Sequence, residues 1–143
     1  MTPRLFVASL LISIASTAPS FAATPACNGP EFSAFRTEFT NAANAGDKAK
    51  LAKMIAFPVE YWVAATKSDA QTEGVKDEAE FLKRYDQLFT AFMRKGLKTA
   101  KLTPLQEGRC ALMWHDANSE FSFEFRYVPE AGYRMSGYDV GAY

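Results

Sequence analysis

The chain has 143 residues, 16 Lys and Arg against 16 Asp and Glu, one His and two Cys. That length suits one compact domain, and the balanced charge gives no overall pull toward nucleic acid or anionic lipid. One histidine and two distant cysteines make no metal-ligand cluster, and no glycine-rich loop opens a helix for a nucleotide, so no metal or other cofactor is expected.

Residues 1–22 read as an address. Arg4 is their only charged side chain, "LFVASLLISIASTA" is apolar and small with no charge, and Ser20 and Ala22 are the small residues before a cut after Ala22. This order predicts a cleaved secretory signal, its apolar run being too short to span a bilayer. The expectation is an exported domain over 23–143, periplasmic or secreted, with no membrane span. A rival reading makes Cys27 a lipid-bearing residue, but only Ala26 of the residues before it suits such a site. In an exported chain Cys27 and Cys110 are expected to form a disulfide; the alternative is a buried Cys110 and a frayed Cys27.

From Glu31 to Ala45, Phe32, Phe35, Phe39, Ala42 and Ala43 recur at helical spacing, and Gly46 is a natural left-handed stop. Asp47 can cap a second short helix striped by Leu51, Met54 and Ile55. "FPVEYWVAAT" reads as a strand from about Pro58, and polar Lys67 to Val75 as a loop. Asp77 with Glu80 resembles a capping box opening a third helix to about Lys95, striped by Phe81, Leu82, Tyr85, Leu88, Phe89 and Phe92 and ended by Gly96. Four strand-like stretches follow, "LKTAKLTPLQ", "RCALMWH", "NSEFSFEFRYV" and "YRMSGYDV". The third puts Phe121, Phe123, Phe125 and Tyr127 on one face and Glu120, Ser122, Glu124 and Arg126 on the other. Alternation also places Cys110, Leu112 and Trp114 together, and only one of Tyr133 and Tyr138 inward. Helices followed by a run of strands predict an α+β fold, order α-α-β-α-β-β-β-β, with the helices on one face of an antiparallel meander.

"FRTEFTNAANAGDKAKLAKMIAFPVEYW" (Phe35 to Trp62) resembles the amino-terminal half of the nuclear-transport-factor-2-like, ketosteroid-isomerase-like superfamily. The shared features are an aromatic-striped helix, a Gly-Asp break, a short Leu-Ala helix and a Phe-Pro-Val entry into a strand. "DEAEFLKRYDQLF" followed by strands fits the same plan, so the resemblance covers nearly the whole exported part. It implies a cone in which a strongly bent sheet wraps against the helices around a cavity. Some such proteins are isomerases or dehydratases; many bind without chemistry, and the fold does not decide between them.

An enzyme of this kind needs an acid or base in the cavity. His115 alternates away from Trp114 and Leu112, and Asp86 borders the third helix's apolar stripe, where rings could raise its pKa; Arg84 or Lys83 could equally pair with it. Asp116 suits the "DANS" turn, Glu60 could face either way, and no Ser has a His and acid at recognisable spacing. Most of the 18 aromatic residues of 23–143, ten Phe, six Tyr and two Trp, are expected to be ordinary core. Tyr61, Trp62, Tyr85, Trp114 and Tyr138, whose polar tips want partners, are the expected rim of a ligand pocket. The expected function is non-catalytic binding of a small apolar ligand or an envelope partner protein, by a monomer or weak dimer. The alternatives are a cofactor-free lyase or isomerase using Asp86 or His115, and an immunity- or inhibitor-type protein working through the loop Lys67 to Val75.

Overall fold

Residues 24–64, 70–72 and 74–142 are described by the structure, a computed structural model, with the side chains of 60–64, 70–72 and 142 left aside. Residues 1–22, and with them the signal expectation, lie outside the described residues.

Helix α1 (Pro30–Ala45) starts with proline at its first turn, where the missing N–H costs nothing, and stops at Gly46, whose left-handed φ of 69° turns its amide back onto Ala42 and Ala43. Asp47 caps α2 (Lys48–Lys53) by accepting from the Lys50 amide at 3.0 Å. Asp77 caps α3 (Glu78–Leu88) through the Glu80 amide at 2.9 Å, while Glu80 reaches back to the Lys76 amide at 3.0 Å. This is a capping box with its return bond shifted one residue.

The third predicted helix is two. Phe89 leaves helical geometry (φ −117°, ψ 58°), and Thr90 then caps α4 (Ala91–Thr99) by accepting from the Met93 amide. Gly96 is therefore no terminator. It is buried inside α4, where the Trp114 indole lies so close that a methyl group would overlap it. The bend also corrects the apolar stripe: Phe81, Tyr85, Leu88 and Phe89 are buried, but Leu82 and Phe92 are 39% and 44% exposed.

The sheet has six strands: β1 (Ile55–Ala64), β2 (Ala70–Thr72), β3 (Lys101–Pro104), β4 (Cys110–His115), β5 (Ser119–Val128) and β6 (Gly132–Ala142), ordered β2-β1-β6-β5-β4-β3. The last four form the expected antiparallel meander, while β1 returns beside β6 in parallel. β1 begins three residues earlier than Pro58, and its register with β6 shifts between Ile55 and Glu60, around a proline that has no amide to give. The predicted loop holds β2 and a Val59–Val75 bridge. Leu97 to Thr99, expected in a strand, belong to α4.

A second register shift, between Glu124 and Phe125 of β5 opposite Gly137 and Met135 of β6, inserts Ser136 as an extra residue. Such bulges bend the strand that carries them. Here the shift also brings both Tyr133 and Tyr138, an odd number of residues apart, onto the helix-facing side, at 2% and 8% exposure. The result is an unclosed, curved sheet with the helices in its concavity, the architecture implied by the resemblance.

The core is aromatic. Phe39 lies 5.2 Å from Phe125, 5.9 Å from Phe123 and 6.0 Å from Phe89, and Phe32 lies 4.9 Å from Tyr133. Phe123 and Phe125 are fully buried and Phe121 half-buried at the strand's start. Cys110, Leu112 and Trp114 face the helices as alternation required, and His115 faces solvent. Cys27 and Cys110 form a disulfide with Cα atoms 5.6 Å apart, and the Tyr133 hydroxyl donates to the Pro25 carbonyl at 2.7 Å. The segment before α1 is thus tied at two points to the sheet.

Candidate functional site

The helix break places Leu88 and Phe89 over the concave sheet. With Val59, Val75, Phe81, Phe123, Met135 and Tyr138 they enclose a void of about 10 Å³. That is about one water's worth of room, and an apolar void of this kind stays dry. The Tyr138 hydroxyl is the only polar side-chain tip of this lining, and it donates to the Met93 sulfur at 3.1 Å. Phe89 is clamped between Tyr85 (5.4 Å, interplanar 5°) and Phe123 (5.2 Å, 14°), so a three-ring stack forms one wall.

Of the five expected rim residues, Tyr138 lines this void. Tyr85 stands behind Phe89, with its hydroxyl 3.4 Å from the Ala43 carbonyl and the Lys48 ammonium 4.7 Å above its ring. Trp114 lies apart, stacked on Phe121 at 5.6 Å, with its buried indole N–H unpartnered beside Gly96. The side chains of Tyr61 and Trp62, the orientation of Glu60 and most of the loop Lys67 to Val75 lie outside the described residues. The backbone register sets Tyr61 beside Tyr138 and Trp62 beside Asp139.

The candidate acids and bases are elsewhere. Asp86 is 82% exposed and pairs with Lys48 at 3.1 Å, a partner outside its own helix. Arg84 pairs with Glu80 one turn earlier. His115 is exposed and opposite Glu120. Asp116 accepts from the Asn118 and Ser119 amides at 2.8 Å, which is the turn role its sequence suggested. Among the described residues no group of three His, Cys, Asp or Glu could hold a metal ion.

The residue that alternation concealed is Asp139, on the outer sheet face opposite buried Ser122. One of its carboxylate oxygens is buried and unpartnered. Partial burial, with Glu124 and then Glu120 adding repulsion, raises its pKa above the ordinary carboxylate value, and the Val140 amide works against that rise. The folded state therefore holds a proton that the unfolded state has already released. In that window, from the usual carboxylate range up to the raised folded value, stability falls as pH rises. Asp139→Asn should remove this penalty. Urea midpoints of parent and variant from pH 4 to 7 should show the parent losing ground to the variant as pH rises; a constant difference would contradict the assignment.

The rest of the outer face is polar. Glu120 and Arg126 are exposed, and Glu124 pairs with Arg109 at 3.1 Å. Among the described residues no helix is long and apolar enough to cross a membrane.

No family description and no characterised protein matches the chain. Solved structures resemble it. One is a candidate ketosteroid isomerase from Shewanella frigidimarina, 10% identical with a TM-score of 0.45 over 78% of this chain and 94% of that one. ActVI-ORFA from Streptomyces coelicolor is 10% identical, with a TM-score of 0.42 over 78% and 94%. A candidate calcium/calmodulin dependent protein kinase II association domain from Xanthomonas campestris is 13% identical, with a TM-score of 0.42 over 85% and 93%. The cone architecture stands on the strand order and packing described above.

Proposed function

We propose that this is an exported, non-catalytic domain that binds a small apolar ligand against the concave face of its sheet. The observation that carries the reading is the composition of the enclosed void, eight side chains whose one polar tip is the Tyr138 hydroxyl. Such a lining suits an apolar body with a single acceptor or donor, the usual make-up of a small-molecule site. It offers no acid or base: Asp86 and His115, on which a lyase or isomerase would depend, stand in solvent. The void is far below the roughly 150 Å³ that holds a benzene. Binding therefore requires the Leu88–Phe89 corner to move away from the sheet. A corner at the junction of two helices can do so without breaking either one. Export agrees with the Cys27–Cys110 disulfide, which persists in oxidising compartments. The polar outer sheet face suits a monomer or weak dimer.

The test is thermal unfolding against a panel of apolar acids and lactones. A ligand at a hundred times its Kd should add about 2.7 kcal/mol to the unfolding free energy. If no compound raises the melting temperature, the reading is wrong.

A further inference from the structure

The charge that balances over the whole chain is segregated within it. From Gln87 to Gln106 there is no Asp or Glu, but there are Arg94, Lys95, Lys98 and Lys101. Helix α4 and strand β3 occupy this stretch. Helix α4 turns Met93, Gly96, Leu97 and Ala100 inward and leaves Phe92, Lys95, Lys98 and Thr99 exposed along one arc, with Lys101 exposed just beyond. The Arg36 guanidinium donates to the Ala100 carbonyl at 2.7 Å and brings another cation beside Lys98.

Two properties mark this face. Its cations have no acid among them in the chain: Arg94, Lys95, Lys98 and Lys101 enter no ion pair among the described residues, and while Lys76 and Lys83 enter none either, those two stand among Asp77, Glu78, Glu80 and Asp86. Its one large apolar side chain is also firmly backed. Phe92 is 44% exposed, yet its ring centre lies 4.9 Å from Phe121, which stacks on Trp114. Packing holds the ring out rather than folding it in.

We propose that this face, the exposed arc of Phe92, Lys95 and Lys98 with Lys101 just beyond it, docks the domain on an anionic phospholipid surface. The apolar face of α4 is already buried in the core, so the contact rests on the lysines, which are drawn to anionic headgroups, and on the one ring that can enter the headgroup boundary. The lysine stems reach along the surface while the ammonium groups stay hydrated among the headgroups. A protein partner fits less well, since protein interfaces are depleted in lysine, which dominates the exposed arc here, and Arg36 is already engaged by the Ala100 carbonyl. Strand addition at the β3 edge is opposed by Lys101 and by Pro104, which has no amide to donate. Acids lie outside the arc: Asp116 is committed to its turn, and Glu120 is on the sheet's other face.

Each cation close to an anionic surface is worth about fivefold in partitioning, and the attraction fades within a Debye length of about 8 Å at physiological salt. The test is co-sedimentation with vesicles of phosphatidylcholine alone and of phosphatidylcholine with about one third phosphatidylglycerol. The full chain is run beside a chain starting at Ala23, because Leu5 to Ala18 is itself apolar. The reading concerns the shorter chain, which keeps every core residue found among the described residues, from Cys27 to Tyr138. It should bind the anionic vesicles only, and release when salt is raised. Lys95→Glu with Lys98→Glu should weaken binding by at least about 25-fold. Lys53→Glu with Lys83→Glu, the same charge change on exposed positions of α2 and α3, should weaken it by less than about fivefold. Phe92→Ser should weaken it at unchanged charge. Equal binding to both vesicle types, equal effects of the two lysine pairs, no binding at all, or binding to duplex DNA or an acidic protein as tight as to the vesicles would each overturn the proposal.

Discussion

Replacing Cys27 and Cys110 together by alanine should lower the unfolding free energy by about 4 kcal/mol. The two cysteines are 83 residues apart, so the bond closes a long loop containing all four helices and the first three strands. An unfolded chain without that closure gains a large conformational entropy, and the logarithmic dependence on loop length makes the gain near its upper range. The folded state should lose less. Cys110 is wholly buried among the sheet's inward side chains, where alanine keeps the surroundings apolar, and Cys27 lies in a segment still held by the Tyr133–Pro25 hydrogen bond. Urea unfolding of parent and variant, each with and without reductant, checks the claim. Reductant should bring the parent down to the variant and leave the variant unmoved. A fall of less than about 1 kcal/mol would mean that the segment before α1 is held by packing and Tyr133 alone.

Much of this architecture is legible in local chemistry, because stripes, caps and alternation are properties of neighbouring residues. Gly46, Asp47 and Asp77 act as their types and positions required, and Cys110, Leu112 and Trp114 share the face that period-two counting gave them. What escaped depends on contacts between distant segments. Phe81, Tyr85, Leu88, Phe89 and Phe92 continue one helical stripe, so periodicity carries a single helix straight through Thr90. The bend appears only because Phe89 is drawn between Tyr85 and Phe123, and strand β5 lies far along the chain. Thr90 is a good capping residue and was the one local sign of a new start. Gly96 looked like a stop because glycine usually is one late in a helix, whereas here its missing side chain makes room for an indole from another element. Tyr133 and Tyr138 could not both be placed inward, since strict alternation forbids it and the bulge at Ser136 is a property of strand pairing. The candidate site suffered most. Tyr138 was expected in it, but Leu88, Val75 and Met135 are ordinary apolar residues by type, and only the fold gathers them around one void.

Phe89→Ala should cost about 3 to 5 kcal/mol and should also create a ligand site where the parent has almost none. Phe89 is fully buried, at the centre of the three-ring wall, and its ring borders the existing void. Removing it joins the ring's own space to that void and gives a dry cavity, and apolar cavities of that size take up benzene-like molecules. Indole or benzene should then raise the melting temperature of the variant much more than that of the parent. The control is Phe32→Ala. Phe32 is equally buried and packs on Phe125 and Tyr133, away from the lining of the void. It should cost a comparable amount of stability and give no comparable response to either compound. Loss of stability by itself therefore says nothing about the site; the contrast between the two variants does. A parent that already binds a natural ligand at this corner should lose that ligand's selectivity in Phe89→Ala, because the ring it had to displace is gone. Equal responses of the two variants would place the ligand elsewhere, and no response from Phe89→Ala would show that α3 and α4 collapse to fill the space.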